Sequence, residues 1–296
     1  FASYIDGAKK RFEGARFYEE INESKKNGLN NMRGEACFNN SNGCEFNTFS
    51  DKKVFVIGDS LVNTISYDLN KRLISKGYQT NFFYIGDCLY FHKFDRVLRN
   101  TKIIDDKCNK EYFSRIENKI LNNDNQIIIF FGRFTLQLSN KRFDNMEGGI
   151  ENDNLIWEYD LINEENISRE LSFINSINKI SNSNKIIFLY PLPEVGWKVD
   201  RIIHKKKINL RTLSTSLDVF KDRNEISFKF LDSFKSDNIF RIFPHKLFCE
   251  TVINRCIIHN NSDIFYHDGL HPSISGVKMI NDLIIKEIEK IELKSN

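Results

Sequence analysis

Val54-Phe55-Val56-Ile57-Gly58-Asp59-Ser60-Leu61 is the stretch of sequence that decides the fold of this chain. Its first four residues are apolar and mostly β-branched, as in a short buried strand, and the Gly-Asp-Ser that follows marks the end of that strand. Apolar residues then recur at every fourth position, as on the buried face of an amphipathic helix: Leu61, Ile65, Leu69 and Leu73. Gly77 is placed to end this helix. The stretch predicts a strand, a turn that carries Ser60, and a helix.

The alternation of strand and helix continues along the rest of the chain. Four further apolar segments have the length of strands: Phe82–Ile85, Gln126–Phe131, Lys185–Tyr190 and Ile239–Phe243. Helices are predicted at Ile103–Leu121, Tyr159–Ile180 and Leu213–Phe234, and a last helix opens at Pro272-Ser273. Such alternation implies right-handed crossovers and a mostly parallel sheet. We therefore predict an α/β fold, a three-layer α/β/α sandwich around a five-stranded sheet.

Residues 1–52 differ from the rest of the chain, because they are charged, contain several glycines and lack a strand-like apolar run. We expect them to form a linker or extension packed on a domain of residues 53–296. The chain starts without methionine or a signal-peptide pattern, which we interpret as a mature protein or a piece of a longer one. No apolar run approaches the ~20 residues of a membrane-spanning helix. The net charge of +3 is spread without long single-sign blocks, so nucleic acid is not an expected partner.

The six cysteines fall into three local pairs, which are Cys37 with Cys44, Cys88 with Cys108, and Cys249 with Cys256. Six cysteines allow many connectivities, and pairing of neighbours is the simplest of them. Disulfides would indicate an oxidising compartment, and the alternative is six reduced, buried thiols in a cytosolic enzyme. No C-x-x-C is present, so the cysteines favour neither a zinc site nor a redox motif, and we expect no metal and no cofactor.

A serine, a histidine and an aspartate are the candidate catalytic residues. Ser60 follows the first predicted strand, and Asp268-Gly269-Leu270-His271 precedes the last predicted helix. A serine hydroxyl is a poor nucleophile unless a base accepts its proton, and a carboxylate orients that base. We predict Ser60 as nucleophile, His271 as base and Asp268 as orienting acid. Each has an ordinary alternative, since Ser60 is also a good helix cap, Asp268 a turn former and His271 a loop residue.

The predicted topology brings further residues to the same edge of the sheet, because ligands of parallel α/β sheets bind beyond the carboxyl ends of the strands. Gly86 follows the second predicted strand, Gly132-Arg133 the third, and Glu194 and Trp197 the fourth. The Ser60 N–H, at the start of a helix, can donate to a developing oxyanion. These positions support one site at this edge.

Two motifs carry a resemblance to a known family. Gly58-Asp59-Ser60-Leu61 is similar to the first sequence block of the SGNH, or GDSL, hydrolases, and Asp268-Gly269-Leu270-His271-Pro272 is similar to their last. The order serine, aspartate, histidine is also that of the family. The resemblance spans about residues 53 to 292 and implies a flavodoxin-like catalytic domain.

The resemblance also implies an oxyanion hole. Gly86 best matches the glycine whose N–H joins that of Ser60 in binding the oxyanion. The third block of the family offers an asparagine as a further donor, but Arg133 follows Gly132 here. Arg133 either replaces that donor, contacts a sugar or a carboxylate, or forms a salt bridge at the end of the strand.

The middle of the chain resembles one branch of the family, the SGNH domains fused behind acyltransferase-3 membrane proteins. The similarity lies in the Arg-aromatic third block, the cysteine before Leu89, the segment Tyr190–Trp197 and the cysteine pair upstream of the last block. It implies transfer of an acyl group, usually acetyl, through an acyl-serine to an envelope glycan such as lipopolysaccharide O-antigen or peptidoglycan. The donor would come from an N-terminal membrane domain that also tethers the chain in the periplasm. Trp197 would stack on the sugar and Glu194 bind a hydroxyl, or both simply shape a Pro-Gly loop.

Two other functions fit the same residues. One is a stand-alone secreted carbohydrate esterase or lipase of the GDSL type, because water and a sugar hydroxyl can use the same triad. The other is a catalytically silent glycan-binding module. The remaining histidines are expected on the surface: His92, His204, His245, His259 and His267. Strand alternation directs His267 away from the neighbouring Asp268.

Overall fold

Strands and helices alternate through the residues that the computed structural model describes, which are 17–151, 156–161, 167–203 and 213–295. The strands are β1 Cys44–Phe46, β2 Lys53–Gly58, β3 Gln79–Tyr84, β4 Phe94–Leu98, β5 Ile127–Phe131, β6 Trp157–Leu161, β7 Lys185–Leu189, β8 Ser214–Ser216, β9 Ile239–Ile242, β10 Cys249–Glu250 and β11 Arg255–Ile257. The α-helices are α1 Tyr18–Lys26, α2 Ser60–Ser75, α3 Lys110–Leu121, α4 Phe134–Ser139, α5 Arg169–Ser181, α6 Val199–Ile202, α7 Leu217–Asp232 and α8 Ile274–Ser295.

The central sheet has six strands in the order β1-β3-β2-β5-β7-β9. The last five of these run parallel, and they are the five strands predicted from the sequence. The sixth, β1, was not predicted, and it pairs antiparallel with β3 so that Cys44 lies opposite Phe82. Part of the segment expected to be an extension is therefore an edge strand of the sheet.

Helices cover both faces of the sheet, because successive residues of a strand point to opposite sides. In β2, Val54 and Val56 pack in the core that includes α2 and α8. Phe55 and Ile57 pack in the core that includes α3 and α5. The predicted three-layer α/β/α architecture is confirmed, and it leaves the carboxyl ends of the parallel strands free for a site.

Two predicted helices begin later than the sequence pattern indicated. The helix predicted from Ile103 begins only at Lys110, since Ile104 instead forms an isolated bridge with Val97. The helix predicted from Leu213 begins only after β8, which pairs with β11 and leaves α7 to start at Leu217. In both places a β-type pairing takes residues that local periodicity assigned to a helix, with a nearby residue in the first case and with the distant β11 in the second.

The helix predicted from Tyr159 is wrong at its start. Tyr159 lies in β6, which pairs antiparallel with β4 and places it opposite Arg96. The helix in this region, α5, begins at Arg169, and the intervening residues 162–166 lie outside the described part of the chain. Residues 1–16 of the expected extension lie outside it as well.

All six cysteines are paired as neighbours in the sequence, so the alternative of six free thiols is wrong. The disulfides are Cys37–Cys44, Cys88–Cys108 and Cys249–Cys256. The first closes the loop before β1, and the last joins β10 to β11. Among the helices of the described residues, none combines the length and the apolar character needed to cross a membrane.

Candidate active site

Ser60 lies at the junction of β2 and α2, where the backbone passes very close to β5. A Cβ atom on Gly58 would lie 1.7 Å from the carbonyl oxygen of Phe131, so only glycine fits at the end of β2. Asp59 caps α2, and its Oδ1 accepts the N–H of Leu61 at 2.9 Å. Ser60 is the first helical residue, so its own N–H has no partner inside the helix. The junction therefore presents a hydroxyl and an N–H at the positive end of a helix dipole.

Ser60, His271 and Asp268 form a continuous row of hydrogen bonds. Ser60 Oγ lies 2.9 Å from His271 Nε2, and His271 Nδ1 lies 2.8 Å from Asp268 Oδ2. Because a carboxylate only accepts, Nδ1 donates to Asp268 and Nε2 is left to accept from the serine hydroxyl. The other carboxylate oxygen, Oδ1, accepts the N–H groups of Leu270 and His271 at 2.8 and 2.7 Å. The fold thus brings the three predicted residues together in the order that proton transfer from serine to histidine requires.

The Asp268 carboxylate is kept in its charged form. Burial by itself raises the pKa of Asp268, but the hydrogen bond and charge of His271 outweigh burial and hold that pKa well below its usual range. A carboxylate that stays charged can stabilise an imidazolium on His271.

Another carboxylate, that of Asp59, is fully buried and connects the ends of β2 and β5. Asp59 is 1% exposed, and its Oδ2 accepts the backbone N–H of Arg133 at 2.7 Å. Burial raises the pKa of Asp59 to about 6, although the N–H groups of Arg133 and Leu61 act in the opposite direction. Asp59 therefore fixes the turn after β5 beside Ser60.

Arg133 is enclosed by two glutamates. Its Nε donates to Glu194 at 2.5 Å, and Nη1 and Nη2 donate to the two oxygens of Glu151 at 2.9 and 2.5 Å. Arg223 donates to the second oxygen of Glu194 at 3.0 Å, and Arg142 donates to Glu151 at 3.0 Å. Burial by itself lowers the pKa of Arg133, but the two carboxylates outweigh it and raise that pKa.

The ion pairs of Arg133 correspond to one of its predicted roles, the salt bridge at a strand end. Its guanidinium donates to carboxylates of the protein itself, so these donors are not directed to an oxyanion in this arrangement. Glu194 is 6% exposed and holds two arginines, which differs from its predicted contact with a substrate hydroxyl.

Gly86 follows β3 at the expected edge, but its N–H is already engaged. It donates to Oδ1 of Asn39 at 2.8 Å, and the Asn39 N–H donates to the carbonyl of Tyr84 at 3.2 Å. Asn39 has a left-handed φ of 61° and lies in the loop closed by the Cys37–Cys44 disulfide. The Gly86 N–H can therefore bind an oxyanion only if Asn39 moves away, and the oxyanion role of Gly86 stays a prediction.

A cleft of about 510 Å³ opens beside His271. Apolar and charged side chains line it, among them Phe143, Ile150, Trp197, Leu270, Arg142, Glu151 and Lys198. Trp197 packs against the loop on the opposite wall, where a Cβ on Gly149 would lie 2.8 Å from its Cδ1. An apolar wall with a few charged groups suits a polar ligand that also has an apolar face.

Residues 27–286 match the protein-family model described as the SGNH domain fused to AT3 domains. The chain belongs to this SGNH domain family. The match begins before β1, so it includes the edge strand that sequence analysis left outside the sheet. A comparison of the sequence with curated proteins gives no match.

One solved structure shares the fold of this SGNH domain, and two others are similar to it with lower scores. The periplasmic domain of a lipopolysaccharide acetyltransferase from Salmonella ser. Paratyphi A is 19% identical, with a TM-score of 0.56 over 93% of this chain and 99% of that one. A member of the lipolytic G-D-S-L family from Veillonella parvula is 11% identical, with a TM-score of 0.39 over 79% and 97% of the two chains. An active-site mutant of a family two carbohydrate esterase from Clostridium thermocellum is 10% identical, with a TM-score of 0.40 over 81% and 63%.

Sequence analysis placed His267 of the SGNH domain on the surface, but the structure buries it. His267 is 8% exposed, and its ring stacks on that of His271 with centroids 5.7 Å apart and planes 12° apart. The predicted surface position assumed strand alternation, whereas residues 267–272 form a turn closed by the His267 N–H and the His271 carbonyl at 3.0 Å. The sequence did contain a sign that His267 belongs to the site, because Asp268 has a histidine on each side. Three other histidines are half-buried rather than exposed, namely His92, His245 and His259, and His204 lies outside the described residues.

His267, Asp268 and His271 also form the one group of at least three metal-ligating side chains found in the described part of the SGNH domain. His271 hydrogen-bonds to Asp268 and to Ser60, and His267 hydrogen-bonds to the carbonyl of Pro272. These bonds arrange the group for moving a proton, and we assign no ion to it.

Proposed function

We propose that this SGNH domain is an extracytoplasmic O-acyltransferase that carries an acyl group, for which we take acetyl, on Ser60 and passes it to a hydroxyl of a cell-envelope polysaccharide. The observation that carries the proposal is the hydrogen-bonded row from Ser60 through His271 to Asp268 beside a cleft lined by Trp197. Membership of a family of SGNH domains fused to AT3 domains supports transfer of an acyl group received from a membrane domain.

In the first half of the reaction His271 Nε2 takes the proton of the Ser60 hydroxyl while Oγ attacks the acyl carbonyl. Asp268 stabilises the imidazolium that forms, and the Ser60 N–H donates to the oxyanion at the start of α2. The carbonyl–leaving-group bond then breaks, and His271 returns the proton to the leaving group. An acyl-serine remains.

In the second half a hydroxyl of the acceptor gives its proton to His271 and attacks the acyl-serine. The bond to Ser60 Oγ breaks, and the proton returns to that oxygen. A sugar hydroxyl as acceptor gives transfer, and water gives hydrolysis. The second candidate function, a carbohydrate esterase, therefore uses the same triad and differs only in what occupies the cleft.

The role of Ser60 is tested by intact-mass analysis after treatment with a serine-directed phosphonate, and by turnover of a chromogenic acetyl ester. The wild type is expected to gain one adduct and to turn over the ester, and Ser60→Ala to do neither. Ser75→Ala is the matched control, because Ser75 lies on the same helix but is exposed and bonded only to the Arg72 carbonyl. A wild type with neither adduct nor turnover would favour the glycan-binding module.

Transfer is separated from hydrolysis by adding an acceptor. With the acetyl ester as donor, an envelope oligosaccharide should yield an acetylated sugar and raise the rate of donor consumption. Release of acetate alone, with no acetylated sugar at any acceptor concentration, would assign the esterase function instead.

A further inference from the structure

Two imidazole rings face one oxygen of Asp268. Oδ2 accepts from His271 Nδ1 at 2.8 Å, and it also lies 3.7 Å from Nε2 of His267. The Nδ1 of His267 lies 3.0 Å from the carbonyl oxygen of Pro272. A carbonyl only accepts, so the proton of the neutral His267 ring is on Nδ1 and the nitrogen that faces Asp268 carries none.

We propose that His267 is a positioning residue whose protonation limits the reaction at acid pH. The neutral ring braces the turn that carries Asp268 and His271. The protonated ring competes with His271 for the Asp268 carboxylate. The proposal rests on the proposed function, since it concerns the same serine chemistry. Its bracing role follows from the Nδ1–H bond to Pro272 and from the parallel stacking of the two rings.

Proton uptake at His267 has two consequences for His271. The new Nε2–H is directed at Oδ2, the oxygen that orients His271, so the bond that fixes the His271 ring is weakened. The positive charge also lies 5.7 Å from the His271 ring, centroid to centroid, and opposes a second charge there. Since His271 must become charged when it deprotonates Ser60, protonation of His267 slows that step.

The surroundings of His267 confine this effect to acid pH. Burial is the strongest influence and lowers the pKa of His267, Asp268 acts in the opposite direction, and His271 and Lys25 add to the lowering. Lys25 lies on α1 and is itself paired with Asp200 at 2.8 Å. The His267 ring therefore takes up its proton at a lower pH than an ordinary histidine does.

Two substitutions separate bracing from titration. His267→Asn keeps an amide N–H where Nδ1–H donates to Pro272 but does not titrate, whereas His267→Leu loses both properties. His92→Asn is the matched control, because His92 is a half-buried histidine beside a different carboxylate, with Nε2 3.6 Å from Glu117.

The first measurement is kcat/KM for an acetyl ester as a function of pH. In the wild type and in His92→Asn, kcat/KM should decrease toward acid pH with the slope of a two-proton titration. In His267→Asn the slope should be that of a one-proton titration, so on the order of tenfold more activity remains at the acid end of the profile. His267→Leu should lower kcat at every pH. An identical acid limb in the wild type and His267→Asn overturns the proposal.

The second measurement does not need turnover. In the Ser60→Ala protein, the NMR signal of the His271 ring is followed through an acid titration with and without His267→Asn. A His271 signal that senses a second titration only when His267 is present supports the coupling, even if the wild type proves inactive and the proposed function fails. The same His271 titration curve in both proteins refutes the coupling, even if the enzyme is active.

Discussion

Replacing Arg133 by lysine should destabilise the fold much more than it slows the chemistry. Arg133 holds Glu194 and Glu151 at once through the fixed fork of its guanidinium. A lysine ammonium is a single compact donor group on a flexible stem, so it cannot make paired bonds to Glu151 and keep the bond to Glu194. One of the glutamates then loses a partner in a buried site.

The size of the effect follows from that loss. Removing one partner of a buried ion pair costs about 3–5 kcal/mol, and we take the low end because Arg223 still holds Glu194 and Arg142 still holds Glu151. The entropy of unfolding is roughly 2.1 cal/mol/K per residue, so about 3 kcal/mol lowers the Tm of a chain of 296 residues by about 5 °C.

The assay compares Tm and kcat for the acetyl ester in Arg133→Lys and in Arg33→Lys, a matched change at an exposed arginine. We expect a loss of about 5 °C and a change in kcat of less than about tenfold for the first variant, and no change for the second. A Tm within a degree of wild type together with a fall in kcat of about 100-fold or more would refute this reasoning, because that is the result of removing an oxyanion donor.

Three other variants test separate parts of the site. The pKa of Asp59 is about 6 in the folded protein and 3.8 ordinarily, so the folded state holds the Asp59 proton more tightly than the unfolded state. The stability that Asp59 contributes is therefore complete below its ordinary pKa and is lost as pH rises through its pKa in the folded protein. Urea unfolding should therefore show Asp59→Asn gaining up to about 3 kcal/mol on the wild type between pH 4 and pH 7, and a constant difference would contradict this. Gly58→Ala should prevent folding because its Cβ overlaps the Phe131 carbonyl, while Gly28→Ala, with its nearest atom 3.8 Å away, should give soluble protein of unchanged Tm. Trp197→Ala should raise KM for a glycan acceptor about tenfold and leave hydrolysis of a small ester unchanged; an equal effect on both reactions would assign Trp197 a role in folding alone.

The parallel core of the fold could be predicted from the sequence because its strands are buried on both faces. Such strands appear as continuous apolar runs, as in Ile127–Phe131, and need no knowledge of their partners. The strands that were missed are shorter and mixed in composition. In β4, Arg96 is buried but paired with Asp105 and stacked on Trp157 of β6. That environment depends on segments distant in sequence, so the local pattern could not reveal it.

The candidate site shows the same division. The proximity of Ser60, Asp268 and His271 could be predicted because each follows or precedes a regular element whose end the sequence marks, while their catalytic roles stay predictions. The contacts around these three residues could not be predicted, because side chains from other loops decide whether the expected oxyanion donors are available. Gly86 is bonded to Asn39 from the disulfide loop, and no local pattern specifies such a contact. The contacts between loops are therefore the part of this site that the sequence could not predict.

The wall of the cleft bears on the choice between transfer and hydrolysis. The loop of residues 141–151 is held in place from two sides: Asn145 donates to the Val195 carbonyl at 3.0 Å, and Glu147 accepts from Arg255 at 2.8 Å. Arg255 lies on β11, which is disulfide-linked to β10, so the wall is supported from outside the central sheet. A wall that is ordered beforehand loses little conformational entropy when it binds an acceptor. An acceptor hydroxyl held there competes with water through its high effective concentration. Under the proposed function both reactions share the triad, so we expect the order of this wall, rather than the triad, to set the balance between transfer and hydrolysis.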